Sequence, residues 1–257
     1  MTAPRHERAA FWQRAAAVRD EWLGHGTACG PTGQAVAEQA ITELYRRIGR
    51  PRPEFVWVRS PWEAQPLVGH LPTLQDLHTW VTRPPSGRRP PLASDLATSL
   101  ARMRGAMDER IDTPLFDPKP PKRDKDRPWP ELSAEAALAY GIPFVDIVRR
   151  HVRDALYTSL AGGFYLPGKR LLGTPGPVCW YGQQEAHWIA YYEVWRRLGL
   201  AVYGSALDAE LDGWQAIART AGWFWPDERR CVVSARPVAG TTFADGWSIT
   251  PSPVTTG

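Results

Sequence analysis

Apolar side chains spaced three and four residues apart recur along most of the chain and predict helices. Over residues 4–23, Phe11, Ala15, Val18 and Trp22 line one face while Arg8, Arg14, Arg19 and Asp20 turn to water. Gly24-His25-Gly26 is expected to end that helix. A second helix is predicted over 34–48 from Val36, Ala40, Leu44 and Ile48, widened by Ile41 and Tyr45, with Gly49 at the left-handed C-cap. Arg50-Pro51-Arg52-Pro53 is a stiff connector, because proline fixes φ and restricts its predecessor. Phe55-Val56-Trp57-Val58 then reads as a short strand. Ser60-Pro61-Trp62-Glu63 supplies the cap, the N1 proline and the N3 carboxylate of a capping box, so a short helix should follow.

Farther along, Leu96, Leu100, Met103 and Met107 predict a helix over 95–110 capped by Ser94. Helices are predicted over 133–140 and 144–160, the latter broken by Gly162-Gly163. Two more are expected over 183–198, closed by Gly199, and over 207–221, with Gly222 as C-cap. Cys231-Val232-Val233 and Trp247-Ser248-Ile249 read as late strands. Residues 83–91 and 117–130 are rich in proline and charge without apolar period, so they read as exposed loops. Leu166-Pro167-Gly168-Lys169 and Thr174-Pro175-Gly176-Pro177 mark turns. The fold class expected is α+β, mainly α-helical with a few short strands. The division expected is an N-terminal helical lobe with one strand (1–114), a Pro/Lys-rich loop (115–131) and a Trp-rich C-terminal lobe (132–257), or one continuous domain.

At 43% hydrophobic and 23% charged, the 257-residue chain can build a substantial core. No apolar run approaches the ~20 residues of a membrane span, and the first residues lack a secretory-signal layout, so no membrane partner and a cytoplasmic location are expected. Cys29, Cys179 and Cys231 are sparse and odd in number, which argues against a disulfide framework. No C-x-x-C or H-x-x-x-H pair supports a metal, and no Walker motif, dinucleotide fingerprint or G-x-S-x-G elbow implies a cofactor or a serine nucleophile. The net charge of +4 is too mild to imply nucleic acid, and the basic run Lys119, Lys122, Arg123, Lys125 and Arg127 is interleaved with Asp117, Asp124 and Asp126. No oligomeric state is implied.

Thirteen tryptophans set this chain apart, with the densest group between Trp180 and Trp225. On the helix predicted from Gln183, residues Gln184, Trp188, Tyr191 and Trp195 share a face, with His187 on an adjoining line. One reading makes His187 a proton donor or acceptor in an aromatic pocket, assisted by Glu185 or Asp227; the other makes it a core histidine bound to a backbone carbonyl. Trp223-Phe224-Trp225 cannot all face one core, so at least one ring is expected to point toward another helix, a ligand or solvent. Arg197 and Arg236 could each meet a carboxylate or phosphate.

Ala221-Gly222-Trp223-Phe224-Trp225-Pro226 followed by Cys231-Val232-Val233-Ser234-Ala235-Arg236-Pro237 resembles a bacterial domain family of unknown function. That family carries a small-Gly-Trp-aromatic-aromatic-Pro segment and then a C-x-V-S-x-R-P strand. His187-Trp188-Ile189-Ala190-Tyr191-Tyr192 is similar to its pattern, as is the pairing of Leu44-Tyr45 with Phe55-Val56-Trp57-Val58-Arg59-Ser60-Pro61. The resemblance spans roughly residues 11–237. Relatives continue into D-G-P and D-G-W elements, of which only Asp245-Gly246-Trp247 is present here. It implies architecture and no activity.

The function expected is therefore a binding or accessory domain with an aromatic groove for a peptide or small polar ligand. Trp188, Tyr191, Trp223, Trp225, Arg197 and Arg236 are its contacts. The alternative is a metal-independent enzyme with His187 as general acid/base and Glu185 or Asp227 beside it. Packing of every ring in the interior is the third reading. Near-complete burial of Trp188, Trp195, Trp223 and Trp225 would distinguish it from the other two.

Overall fold

The computed structural model describes residues 5–83, 86–87, 89–113, 117, 128–166, 177 and 180–238. The expected turns within 167–176, the lysine-rich run, Cys179 and the strand at 247–249 lie outside those residues. The described chain is α+β and mainly helical, with four short strands. Its elements are α1 (Arg5–Thr27), α2 (Gln34–Arg47), β1 (Glu54–Val58), α3 (Pro61–Val68), α4 (Leu74–Thr82), α5 (Leu92–Asp108), α6 (Ala134–Tyr140) and α7 (Phe144–Val148). They continue with β2 (Tyr181–Gly182), a 3₁₀ turn (Gln183–Glu185), α8 (Ala186–Leu198), α9 (Ser205–Thr220), β3 (Trp223–Pro226) and β4 (Arg230–Ser234).

The sheet runs β1-β4-β3-β2. β1 pairs with β4 in parallel, Val56 opposite Val232, although some 175 positions separate them in sequence. β4–β3 and β3–β2 are antiparallel, with Phe224 opposite both Val233 and Tyr181. Helices α1 and α8 pack along one another, as do α2 and α9, so one continuous hydrophobic cluster runs from Trp12 to Val233. All of β3 is buried. Alternate side chains of a strand face opposite sides, and here both sides are covered. Trp223 and Trp225 meet at 5.9 Å, while Phe224 turns to Tyr181 at 5.5 Å and Trp214 at 6.5 Å.

Several predicted boundaries shift. α1 continues through Gly24 and Gly26 to Thr27. Gly26 serves contact here, not termination: a Cβ on it would lie 2.4 Å from Leu160 Cδ1. α5 begins at Leu92, with Pro91 and not Ser94 as N-cap, because Leu92 and Ala93 are buried and the Pro91 carbonyl accepts from both Ser94 and Asp95. The expected capping box does not form at α3: Ser60 makes no side-chain cap bond, and Glu63 accepts instead from the N–H of the preceding residue, Arg59, at 2.8 Å. Gly222 is not the C-cap of α9; Ala221 closes it in extended conformation, and the Gly222 N–H donates to Ser234 in the sheet. The predicted 144–160 helix begins as α7 and then widens into π-helical stretches at Arg149–Asp154 and Tyr157–Tyr165, running through Gly162. Such widening often occurs at functional sites.

Candidate functional site

α8 begins one residue after Glu185, and its first turns carry Glu185, His187, Trp188 and Tyr191 to one place. His187 Nδ1–H donates to the Gln184 carbonyl at 2.8 Å, which fixes the tautomer and leaves Nε2 as acceptor. The half-buried imidazole packs edge-on against Tyr157 of the π-helical run, 5.2 Å between centroids. Burial, with Arg104 and Arg153 nearby, lowers its pKa to about 4, so it is neutral at physiological pH.

Glu185 accepts the indole N–H of Trp188. Burial pushes its carboxyl up to about 7 against the opposing pull of that indole and of Arg104. Within reach of the same Arg104 charge the site thus holds a carboxylic acid that exchanges its proton near neutrality and a neutral imidazole, two titrations that environment drives apart. Arg104 of α5 lies 5.8 Å over the Trp188 ring, and Arg153 lies 5.9 Å over Tyr191. Arg153 is held by its neighbour Asp154 at 2.8 Å. Arg104 has no ion pair among the described residues, although its charge reaches both Glu185 and His187.

The expected groove-lining rings are interior, the outcome expected if every ring packs inside, and they form no aromatic groove among the described residues. Trp188 (1% exposed), Tyr191 (3%), Trp223 (1%), Trp225 (3%) and Trp195 (0%) are buried. Their faces and edges are taken up by one another: Trp188 meets Trp214 at 5.6 Å, and Tyr191 meets Trp195 at 5.8 Å. Trp188 and Tyr191 support the two guanidinium groups from beneath and offer no open face. Trp12, Trp57, Trp129 and Trp188 each give their indole N–H to a carboxylate, whereas those of Trp22, Trp62 and Trp214 are buried with no hydrogen-bond partner among the described residues.

The other candidates lie apart from this cluster. Asp227 sits on the β3–β4 connection, pairing with His70 at 3.2 Å and accepting the Tyr45 hydroxyl at its carbonyl, 2.8 Å. It does not assist His187. Arg197 is saturated: its Nε and Nη1 reach Glu193 at 2.6 Å and Glu21 at 2.5 Å, and these partners hold its pKa above the usual value. Arg236 lies near Tyr165 and Cys29. The sequence reading omitted Arg104, Arg153 and Tyr157, which reach the site from α5 and the π-helical run. Among the described residues no group of three or more His, Cys, Asp and Glu could hold a metal ion, and no helix is long and apolar enough to cross a membrane. No family model matches the chain, and neither does any curated protein or solved structure.

Proposed function

We propose that the chain is a binding domain for a small polar ligand that carries a negative charge, seated where Arg104 and Arg153 flank Glu185 and His187. The observation that carries this reading is Arg104, a guanidinium stacked on Trp188 with no ion-pair partner among the described residues, beside an acid that is partly protonated at neutral pH. Stacking pre-orients the donors, so less freedom is lost when an anion arrives. His187 Nε2 adds an acceptor for a hydroxyl or amino group on the same ligand. The rings beneath act as support and not as a groove.

The test is calorimetric titration of the full chain with inorganic phosphate and with citrate as probes. Arg104→Met keeps an apolar side chain of similar length over Trp188 and removes the charge. A charged hydrogen bond is worth about 1.5–3 kcal/mol, so the variant is expected to bind about 10–100-fold more weakly. Equal binding by the variant would refute the reading. A second reading, metal-independent acid–base catalysis on the same ligand, is favoured by the near-neutral titration of Glu185. In it Glu185 transfers the proton and His187 accepts a hydrogen bond, the reverse of the roles that sequence alone suggests.

A further inference from the structure

Arg236 follows β4 by two residues, and its backbone is tied to the loop after α1. Its N–H donates to Thr32 Oγ1 at 3.0 Å, and the Gly30 N–H donates to the Pro237 carbonyl at 3.1 Å. The half-buried side chain lies beside the end of the π-helical run and the half-exposed thiol of Cys29. Tyr165 is buried there and gives its hydroxyl to the Gly26 carbonyl at 2.5 Å. Burial holds the phenol above its usual range, so it stays neutral and is no counter-ion.

The guanidinium atoms Nε and Nη2 are buried and have no hydrogen-bond partner among the described residues. These two donors point the same way. Together they form the side-on fork that matches two oxygens of a carboxylate or phosphate. Leaving them unmet is costly, and burial accordingly lowers the affinity of the group for its proton. A complementary orphan borders the same segment. Gln183 Nε2 donates to the carbonyls of His25 and Ala28 at 3.1 and 3.0 Å, but its Oε1 is buried without a donor among the described residues. His25 in turn feels the charge of Arg236.

We infer that Arg236 and Gln183 form an oxyanion-binding site, separate from the one at Arg104, for a small molecule bearing a carboxylate or phosphate beside a hydroxyl or amino donor. Arg236 grips the oxyanion through its fork. Gln183 Oε1 accepts from the neighbouring donor.

The Arg104→Met background weakens the first site, so the two sites stay distinguishable: the part of the remaining response that Arg236→Lys diminishes belongs to Arg236. Full-length Arg104→Met protein is titrated with phosphate, acetate and glycolate, following tryptophan fluorescence (Trp223 lies 5.8 Å from Tyr165) and melting temperature. Phosphate and glycolate are expected to bind, glycolate at least threefold more tightly than acetate. Adding Arg236→Lys, which keeps the charge and loses the fork, is expected to weaken all three at least tenfold. Adding Arg236→Met is expected to abolish binding and to raise the melting temperature in probe-free buffer. Absence of any response in Arg104→Met, or an unchanged response after Arg236→Lys, would overturn the inference. If Arg236→Met does not fold, Arg236→Lys decides alone.

Discussion

Removing either titrating group at the start of α8 is expected to expose a pH dependence that the other conceals. Glu185 binds its proton more tightly in the folded state, with a pKa raised from 4.5 to about 7. Its favourable contribution is complete below pH 4.5 and is lost as pH rises toward 7. His187 behaves oppositely: its pKa falls from 6.5 to about 4, so its contribution is present above pH 6.5 and is lost as pH falls toward 4. At about 1.4 kcal/mol per pH unit each contribution amounts to about 3 kcal/mol, and the two slopes cancel between pH 4.5 and 6.5. Urea unfolding from pH 4 to 8 is the assay, read as the difference between variant and wild type so that the remaining groups drop out. Glu185→Gln should gain about 3 kcal/mol on wild type as pH rises from 4.5 to 7. His187→Gln should gain a similar amount as pH falls from 6.5 to 4. Coupling through Arg104 makes the double variant the check on additivity. A pH-independent difference for Glu185→Gln would refute the account of the site.

Two backbone positions and one hydroxyl give further checks. Gly182 has φ +148°, and a Cβ there would lie 2.1 Å from the Gly222 carbonyl oxygen; Gly182→Ala should lose at least about 3 kcal/mol in chemical denaturation. Gly213 lies inside α9 with nothing within 4 Å of an added Cβ, so Gly213→Ala should gain about 0.5–1 kcal/mol in the same assay. Tyr45→Phe removes the bond to the Asp227 carbonyl that ties α2 to the β3–β4 connection; it should cost about 1 kcal/mol, measured as a fall in melting temperature.

Periodicity located most of the helices because each buries a stripe that three- and four-residue spacing reveals. It could not distinguish a glycine that ends a helix from one that lets another helix approach, which is why α1 seemed to stop before Gly26. The π-helical widening was invisible for a related reason: Phe144, Ile147, Val148, Val152 and Leu156 are buried whether or not the turn widens. α4 was missed although Thr73 and Asp76 form a reciprocal capping box; that three-residue spacing was its legible signal. At the site, Glu185, His187, Trp188 and Tyr191 could be found together because they are neighbours on one helix. Arg104 and Arg153 could not, since stacking on rings of another element leaves no local spacing to read. The tryptophan block signalled aromatic density correctly but gave no information on exposure, which depends on what covers both faces of β3.

The parallel register of β1 with β4 sets the order in which this molecule can complete itself. During synthesis, residues 54–58 emerge long before residues 230–234 exist to meet them. The nascent N-terminal half therefore carries an unsatisfied ribbon edge until β4 arrives, and the Trp12 side of its first helix stays uncovered until residues 134–198 follow. Such a chain depends on late, distant closure, the kind of pairing that slows folding and leaves a strand edge open to aggregation in the interval.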